Sequence, residues 1–193
     1  MSSIKLVGST SGEITISAPA VAGTNTLTLP ANTGTIVTSA SGAGDLPSTI
    51  AGPAFSAWQS VQQTGITVNT WTKVTLTTET FDTNSNYDTS TSKFTPTVAG
   101  YYYITGSVTI VGANSAYYVI GAIYKNGTQY SQFSPVSGGG SYYPTSGPFG
   151  NIVYFNGTTD YVELYVFGSA GGSFDTFNNA VNTNFSGHLV RAA

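Results

Sequence analysis

Apolar and polar positions alternate with a period of two along much of the chain. Glu13 to Ala20 and Asn25 to Pro30 each follow this rhythm, and the short run Gly34 to Thr38 repeats it. Proline and glycine punctuate the three runs, so they read as three short strands. They hold too few large apolar side chains to bury a core of their own. Residues 40–53, small and rich in serine, glycine and alanine, read as a flexible linker. Beyond it the aromatic content rises and strand signals recur at close spacing. Ala54 to Trp58, Lys73 to Thr77, Tyr101 to Val111, Tyr117 to Lys125, Gln129 to Ser131, Ile152 to Phe155, Tyr161 to Phe167 and Phe185 to Val190 carry them. Asn126-Gly127 tolerates the positive φ angles of a type I′ turn and predicts a hairpin; Asn156-Gly157 has similar turn chemistry. No window sustains a 3.6-residue apolar period. The pattern predicts an all-β chain in three parts: a β-rich arm (1–39), a linker (40–53) and a head (54–193). The head would be a sandwich or jelly roll of about eight to ten strands.

Composition narrows the function. Only 7% of the 193 residues are charged, 13% are aromatic, and the formal net charge is -3. Five basic residues scattered along the chain cannot neutralise a run of phosphates, so nucleic acid is not an expected partner. A surface of hydroxyls and amides suits rigid assemblies and polar, neutral ligands. The chain has no cysteine, which removes disulfides and thiolate metal sites and leaves core burial and oligomerisation to stabilise it. The sequence shows neither a secretory signal pattern nor an apolar span long enough for a membrane helix, so membrane insertion is not expected.

Specific motifs sharpen this picture. Asn86-Tyr87-Asp88, then Phe94-Thr95-Pro96, then Ala99-Gly100-Tyr101-Tyr102-Tyr103-Ile104 resembles the central signature of the complement one-q globular head. Ile123-Tyr124-Lys125-Asn126-Gly127 resembles that family's Lys-Asn-Gly hairpin. Asn156 to Leu164 resembles its Gly-Asp-x-Val-x-Leu hairpin, with two threonines in place of a tight Gly-Asp. Phe185-Ser186-Gly187-His188-Leu189 resembles its closing strand. The resemblance covers roughly residues 54–190. It implies a compact, tumour-necrosis-factor-like jelly roll that assembles as a homotrimer, with Tyr102 and Ile104 in the core. Tyr101 and Tyr103 then face outward, where another subunit would cover them, and His188 is expected outward or against a neighbour. No Gly-X-Y repeat precedes the head in this chain.

The arm carries a second resemblance. Gly8 to Ile16, Ala18 to Pro30 and Thr33 to Val37 look like a short module near the start of many phage fibre and other virion proteins. It covers roughly residues 8–38. It implies a virion protein, assembled in the host cytoplasm and docked on capsid or tail proteins through residues 1–45. Ile14, Ile16, Leu27, Leu29 and Ile36 are the candidate anchoring positions.

Catalytic readings are thin. A glycan depolymerase needs paired carboxylates in a cleft. Glu79 and Asp82 are close in sequence but flank an expected loop, Asp160 falls in an expected hairpin, and Asp88 is expected to hydrogen-bond a turn. His188 is the only histidine, so no metal site is expected. Calcium held by Asp, Glu and carbonyls stays open, without an Asp-rich loop to support it. Of the Asn-x-Ser/Thr sequences at Asn126, Asn156 and Asn184, the first two read as hairpin turns, and no secretion signal supports the glycan-acceptor reading. Two Gly-rich loops are the better recognition candidates. One spans Ser134 to Phe149 with Tyr142, Tyr143 and Phe149; the other spans Gly168 to Asn179 with Phe174, Phe177 and Asn178. Such aromatics serve either a receptor-binding tip for a glycan or protein, or a cap over the barrel. The head therefore either recognises a host surface or cements a shell.

Overall fold

A computed structural model describes residues 3–7, 10–17, 52–111, 117–133, 135–138, 148–169 and 172–193. The chain divides into two compact units, Met1–Thr38 and Ser39–Ala193.

The described part of the first unit is an antiparallel hairpin of β1 (Ser3–Val7) and β2 (Glu13–Ser17). Gly12, at φ 83°, occupies the left-handed region in the connection. Ile4 pairs with Ile16 and Leu6 with Ile14, so the aliphatic positions share one side of the ribbon. The strand β2 lies within the run expected from Glu13 to Ala20. β1 was not foreseen, although Ile4-Lys5-Leu6 alternates in the same way. The other expected strands, with Leu27, Leu29 and Ile36, and the linker up to residue 51 lie outside the described residues.

The second unit carries β3 (Ala54–Trp58), β4 (Thr72–Lys73), β5 (Thr78–Asp82), β6 (Tyr87–Asp88), β7 (Lys93–Phe94), β8 (Gly100–Ser107), β9 (Ile110–Val111) and β10 (Tyr117–Lys125). It continues with β11 (Thr128–Gln132), β12 (Val136–Gly138), β13 (Phe149–Phe155), β14 (Val162–Ser169), β15 (Asp175–Thr176) and β16 (Asn184–Ala192). A five-stranded antiparallel sheet has the order β13-β8-β16-β3-β5. A seven-stranded sheet has the path β11-β10-β14-β7-β6, with β12 added to β10 and β4 to β14. A small ladder of β9 and β15 stands apart from both.

Aromatic rings bind the two sheets together. Phe55 of the five-stranded sheet stacks on Phe94 of the other at 4.1 Å between centroids, and on Tyr87 at 5.1 Å. Phe185 meets Phe55 edge-on, while Phe94 packs edge-on against Tyr102 and Phe155. Each of these rings except Tyr87 is completely buried, and each such burial is worth roughly 1.5–3 kcal/mol before its packing is counted. Tyr102 and Ile104 are therefore core residues, as expected. Burial raises the Tyr102 phenol to about 12, and its Oη donates to Val98 O.

The motif around Tyr87 works as a brace. Tyr87 Oη donates to Leu76 O, and Leu76 N donates to Ser92 Oγ. Lys73 to Thr77 was expected as one strand, but only Thr72–Lys73 is laddered. Val74 and Leu76 still bury alternately, because side chains of Tyr87 and Ser92 replace ladder partners around Leu76. Asp88 does hold a turn: it accepts from Ser90 N, Ser90 Oγ and Thr91 Oγ1.

Three expectations need correction. Tyr101 to Val111 is two strands in different sheets, β8 and β9. Glu79 and Asp82 lie within β5, not in a loop, because the threonine-rich run pairs with β3. Asn126-Gly127 forms the expected turn, with φ 53° and 75°, but Asn156-Gly157 does not close a hairpin. It crosses from β13 in one sheet to β14 in the other. Asn156 Oδ1 caps this connection by accepting from the backbone N–H groups of Thr158, Thr159 and Asp160.

At the side of the sandwich, Tyr130 Oη on β11 donates to Ile152 O on β13. Ile152 N donates to Asn151 Oδ1.

Candidate functional site

The five-stranded sheet buries one face and, among the described residues, leaves the other uncovered. Strand alternation sets this division: Tyr102, Ile104, Val153, Phe155 and Phe185 point inward, while Tyr101, Tyr103, Ile152, Tyr154 and His188 point outward. Register then brings the outward set together. Tyr103 stands between Ile152 on β13 and His188 on β16, and Tyr101 stands opposite Tyr154.

The packing on this face is specific. Tyr101 and Tyr154 lie 5.4 Å apart between centroids, and Tyr103 lies 6.0 Å from the His188 ring. The ring of Tyr103 occupies the place where a Cβ on residue 150 would stand, so Gly150 is what lets it lie against the strand. Even so, Tyr101 remains 47% and Tyr103 39% exposed. Ile152, Tyr154, Val190 and, toward the β5 edge, Phe81 are exposed as well. An apolar face of this breadth is unusual on a surface that meets only water.

Arg191 stands beside Tyr101 in register on this face, and an ion pair lies at its margin. Lys125 Nζ pairs with Asp160 at 2.9 Å and sits 5.8 Å from the Tyr154 ring centroid. Burial works to raise the Asp160 carboxyl, but hydrogen bonds from Asn126 and Lys125 and from Asn156 N outweigh it. With the Lys125 charge, they hold the carboxyl below its ordinary value.

The sequence thus placed Tyr101, Tyr103 and His188 on one face, and the structure brings them together. It missed Ile152, Tyr154 and Phe81. The first two were legible, because Val153 and Phe155 of the same strand alternate with them; Phe81 was hidden by the loop expected around it.

The recognition loops fare differently. Phe149 is buried and stacks on Phe133 at 4.1 Å, so its ring is not offered to a ligand. Phe174 is 1% exposed: its backbone exchanges hydrogen bonds with Ile66 in both directions, and its ring packs over Gly168. A Gly-rich context suggested a free loop, yet one aromatic just after the glycines is enough to anchor the segment to the core. Phe177 is half-buried and Asn178 is exposed, with its Nδ2 donating to Ser60 O. Tyr142 and Tyr143 lie outside the described residues.

No group of three or more metal-ligating side chains forms among the described residues. The carboxylates there serve the fold: Asp82 accepts from Tyr87 N, and Asp175 from Gly65 N.

No protein-family model matches the sequence, and no curated protein matches it. Solved structures do. The globular domain of zebrafish complement 1qA protein superposes with a TM-score of 0.50 at 18% identity, covering 74% of this chain and 99% of that one. Murine APRIL at pH 5.0 gives 0.54 at 8% identity, covering 72% and 99%. The Eiger TNF of S. frugiperda gives 0.53 at 8% identity, covering 74% and 93%. At such low identity the likeness is one of fold, and the fold is the complement one-q and tumour-necrosis-factor type of antiparallel jelly roll.

Proposed function

We propose that the chain is a non-enzymatic structural protein of a tailed-phage virion, a homotrimeric fibre or decoration protein. Residues 1–45, the arm and the start of the linker, dock on capsid or tail proteins, and the jelly-roll head is displayed outward. The observation that carries the trimer is the uncovered aromatic face of the five-stranded sheet. Three copies packed by this face would hide Tyr101, Tyr103, Ile152 and Tyr154, which water otherwise meets. The virion setting rests on the resemblance of residues 8–38 to a virion-protein module. Scarce charge and carboxylates tied into turns favour building and binding over catalysis.

The test is where the protein sits. Antibody-labelled particles should carry it at defined positions, and light scattering should give a trimer mass for the isolated chain. Density at capsid threefold or quasi-threefold positions, with no binding of the trimer to host cells, would make it a cement protein. Particles without the protein would overturn the virion reading.

A further inference from the structure

The seven-stranded sheet has an outward face of a different kind. Its inner face contributes Val119, Ile123, Leu164 and Val166 to the core. The opposite positions on β10 and β14 carry rings instead, in one continuous chain. Tyr118 stacks on Phe167 at 6.1 Å, Phe167 meets Trp71 at 5.4 Å, Trp71 meets Tyr124 at 6.0 Å, and Tyr124 stacks on Tyr165 at 3.8 Å. Ala122, opposite Tyr165, is fully buried although its position points away from the core. Its small side chain leaves room for the stacked pair above it. Every ring in the chain is half-buried, with an edge or face still open to solvent.

Charges beside the rings cancel. Glu163 is 4% exposed and pairs with Lys73 Nζ at 3.2 Å, with Lys93 Nζ at 3.9 Å. Lys93 in turn lies 4.1 Å over the ring of Tyr161, and Asp88 stands opposite it in register. Two cations thus face two anions, which leaves no net field to draw a polyanion or a basic peptide. From Tyr161 to Phe167 the strand rises about 20 Å, and the rings follow it as a narrow strip. A strip one or two rings wide is poor ground for a protein partner, which needs a broad buried patch of roughly 800 Å² per side.

We propose that this strip binds a neutral oligosaccharide, whose apolar C–H faces pack on the rings while its hydroxyls bond to the tyrosines and Lys73. Apolar ring faces and phenol hydroxyls lie side by side along it, which matches the C–H faces and hydroxyls of a sugar. Burial raises the Tyr124 and Tyr165 phenols, so both stay protonated as donors. The strip lies on the sheet opposite the aromatic trimer face, so three heads packed by that face leave it free. The inference deepens the proposed virion role by naming a ligand class, and relies on that role only for its setting.

The test titrates the full chain with maltohexaose, cellohexaose and N-acetylchitohexaose at millimolar concentration. It follows line broadening at Trp71 and records the mass of the same samples by light scattering. Saturable binding of at least one probe is expected. Tyr124→Ala should weaken it at least about tenfold, and Phe167→Leu, the gentler variant, should weaken it measurably at unchanged mass. Phe81→Ala, on the other sheet, should not change it. The proposal is overturned if no probe binds, if binding survives Tyr124→Ala, or if dextran sulfate competes more strongly than the neutral sugars. It is also overturned if mass rises above the trimer and Tyr124→Ala abolishes the rise, since the strip would then join copies of this chain. A monomer mass with intact sugar binding would sink the trimer and leave the strip standing.

Discussion

Tyr101 and Tyr154 face each other across β8 and β13 with their ring planes tilted 58°, both exposed. A pair of rings aligned by the backbone ladder keeps its geometry before any partner arrives, so less freedom is lost on association. Charge placed there should block a neighbour without touching the core. Tyr101→Asp with Tyr103→Asp is expected to give folded monomers or insoluble protein, read by light scattering. An unchanged trimer mass would count against this face as the interface.

Gly150 offers a subtler handle. A valine there would displace the Tyr103 ring from its seat while leaving every inward side chain in place. Gly150→Val should raise the concentration for half-dissociation about tenfold or more, equal to about 1.4 kcal/mol per tenfold. Sedimentation gives that value, and circular dichroism should show the strands intact.

The head's cohesion concentrates in Phe94, which touches Phe55, Tyr102 and Phe155. Phe94→Ala should cost about 3–5 kcal/mol in denaturant unfolding. Phe81→Ala, on the exposed face, should stay within about 0.5 kcal/mol as a monomer. Equal losses would mean that the two sheets are not joined through Phe94.

Asp88 sets an acid limit on its turn. Hydrogen bonds from the Ser90 and Thr91 side chains, then from Ser90 N, lower its carboxyl to about 2 from 3.8. The folded value lies below the unfolded one, so the turn is fully supported above 3.8 and loosens as pH falls toward 2. The Ser90 amide resonance should titrate with a midpoint near the lower value. A midpoint at the ordinary carboxylate value would show that these bonds do not persist in solution.

Where local chemistry decided structure, the sequence was readable. The Asn126-Gly127 turn follows from φ preferences; the family resemblance implied that Tyr102 and Ile104 point inward, and strand alternation then turned Tyr101 and Tyr103 outward. What escaped reading depended on contacts distant in sequence. Phe174 could not be told from a loop-tip aromatic, because its burial comes from Ile66, more than a hundred residues earlier. Leu76 reads as a ladder residue although Tyr87 and Ser92 side chains hold its backbone. Asn156 joins two sheets, and turn chemistry alone does not say which sheet the chain enters next. The ring strip from Tyr118 to Tyr165 was invisible for the same reason: its members come from three separate stretches of sequence.

The bonds at Ile152 bear on how such a chain survives at high concentration. With so few charges, repulsion does little to keep one copy's strands from growing onto another's. The side of β13 that no described strand pairs with is the template for that growth. Yet the carbonyl of Ile152 is taken by Tyr130 Oη and its N–H by Asn151 Oδ1. An incoming strand must break both before it can add there. Two side-chain hydrogen bonds thus stand locally where a charged surface would act elsewhere, each an added cost to strand-on-strand growth.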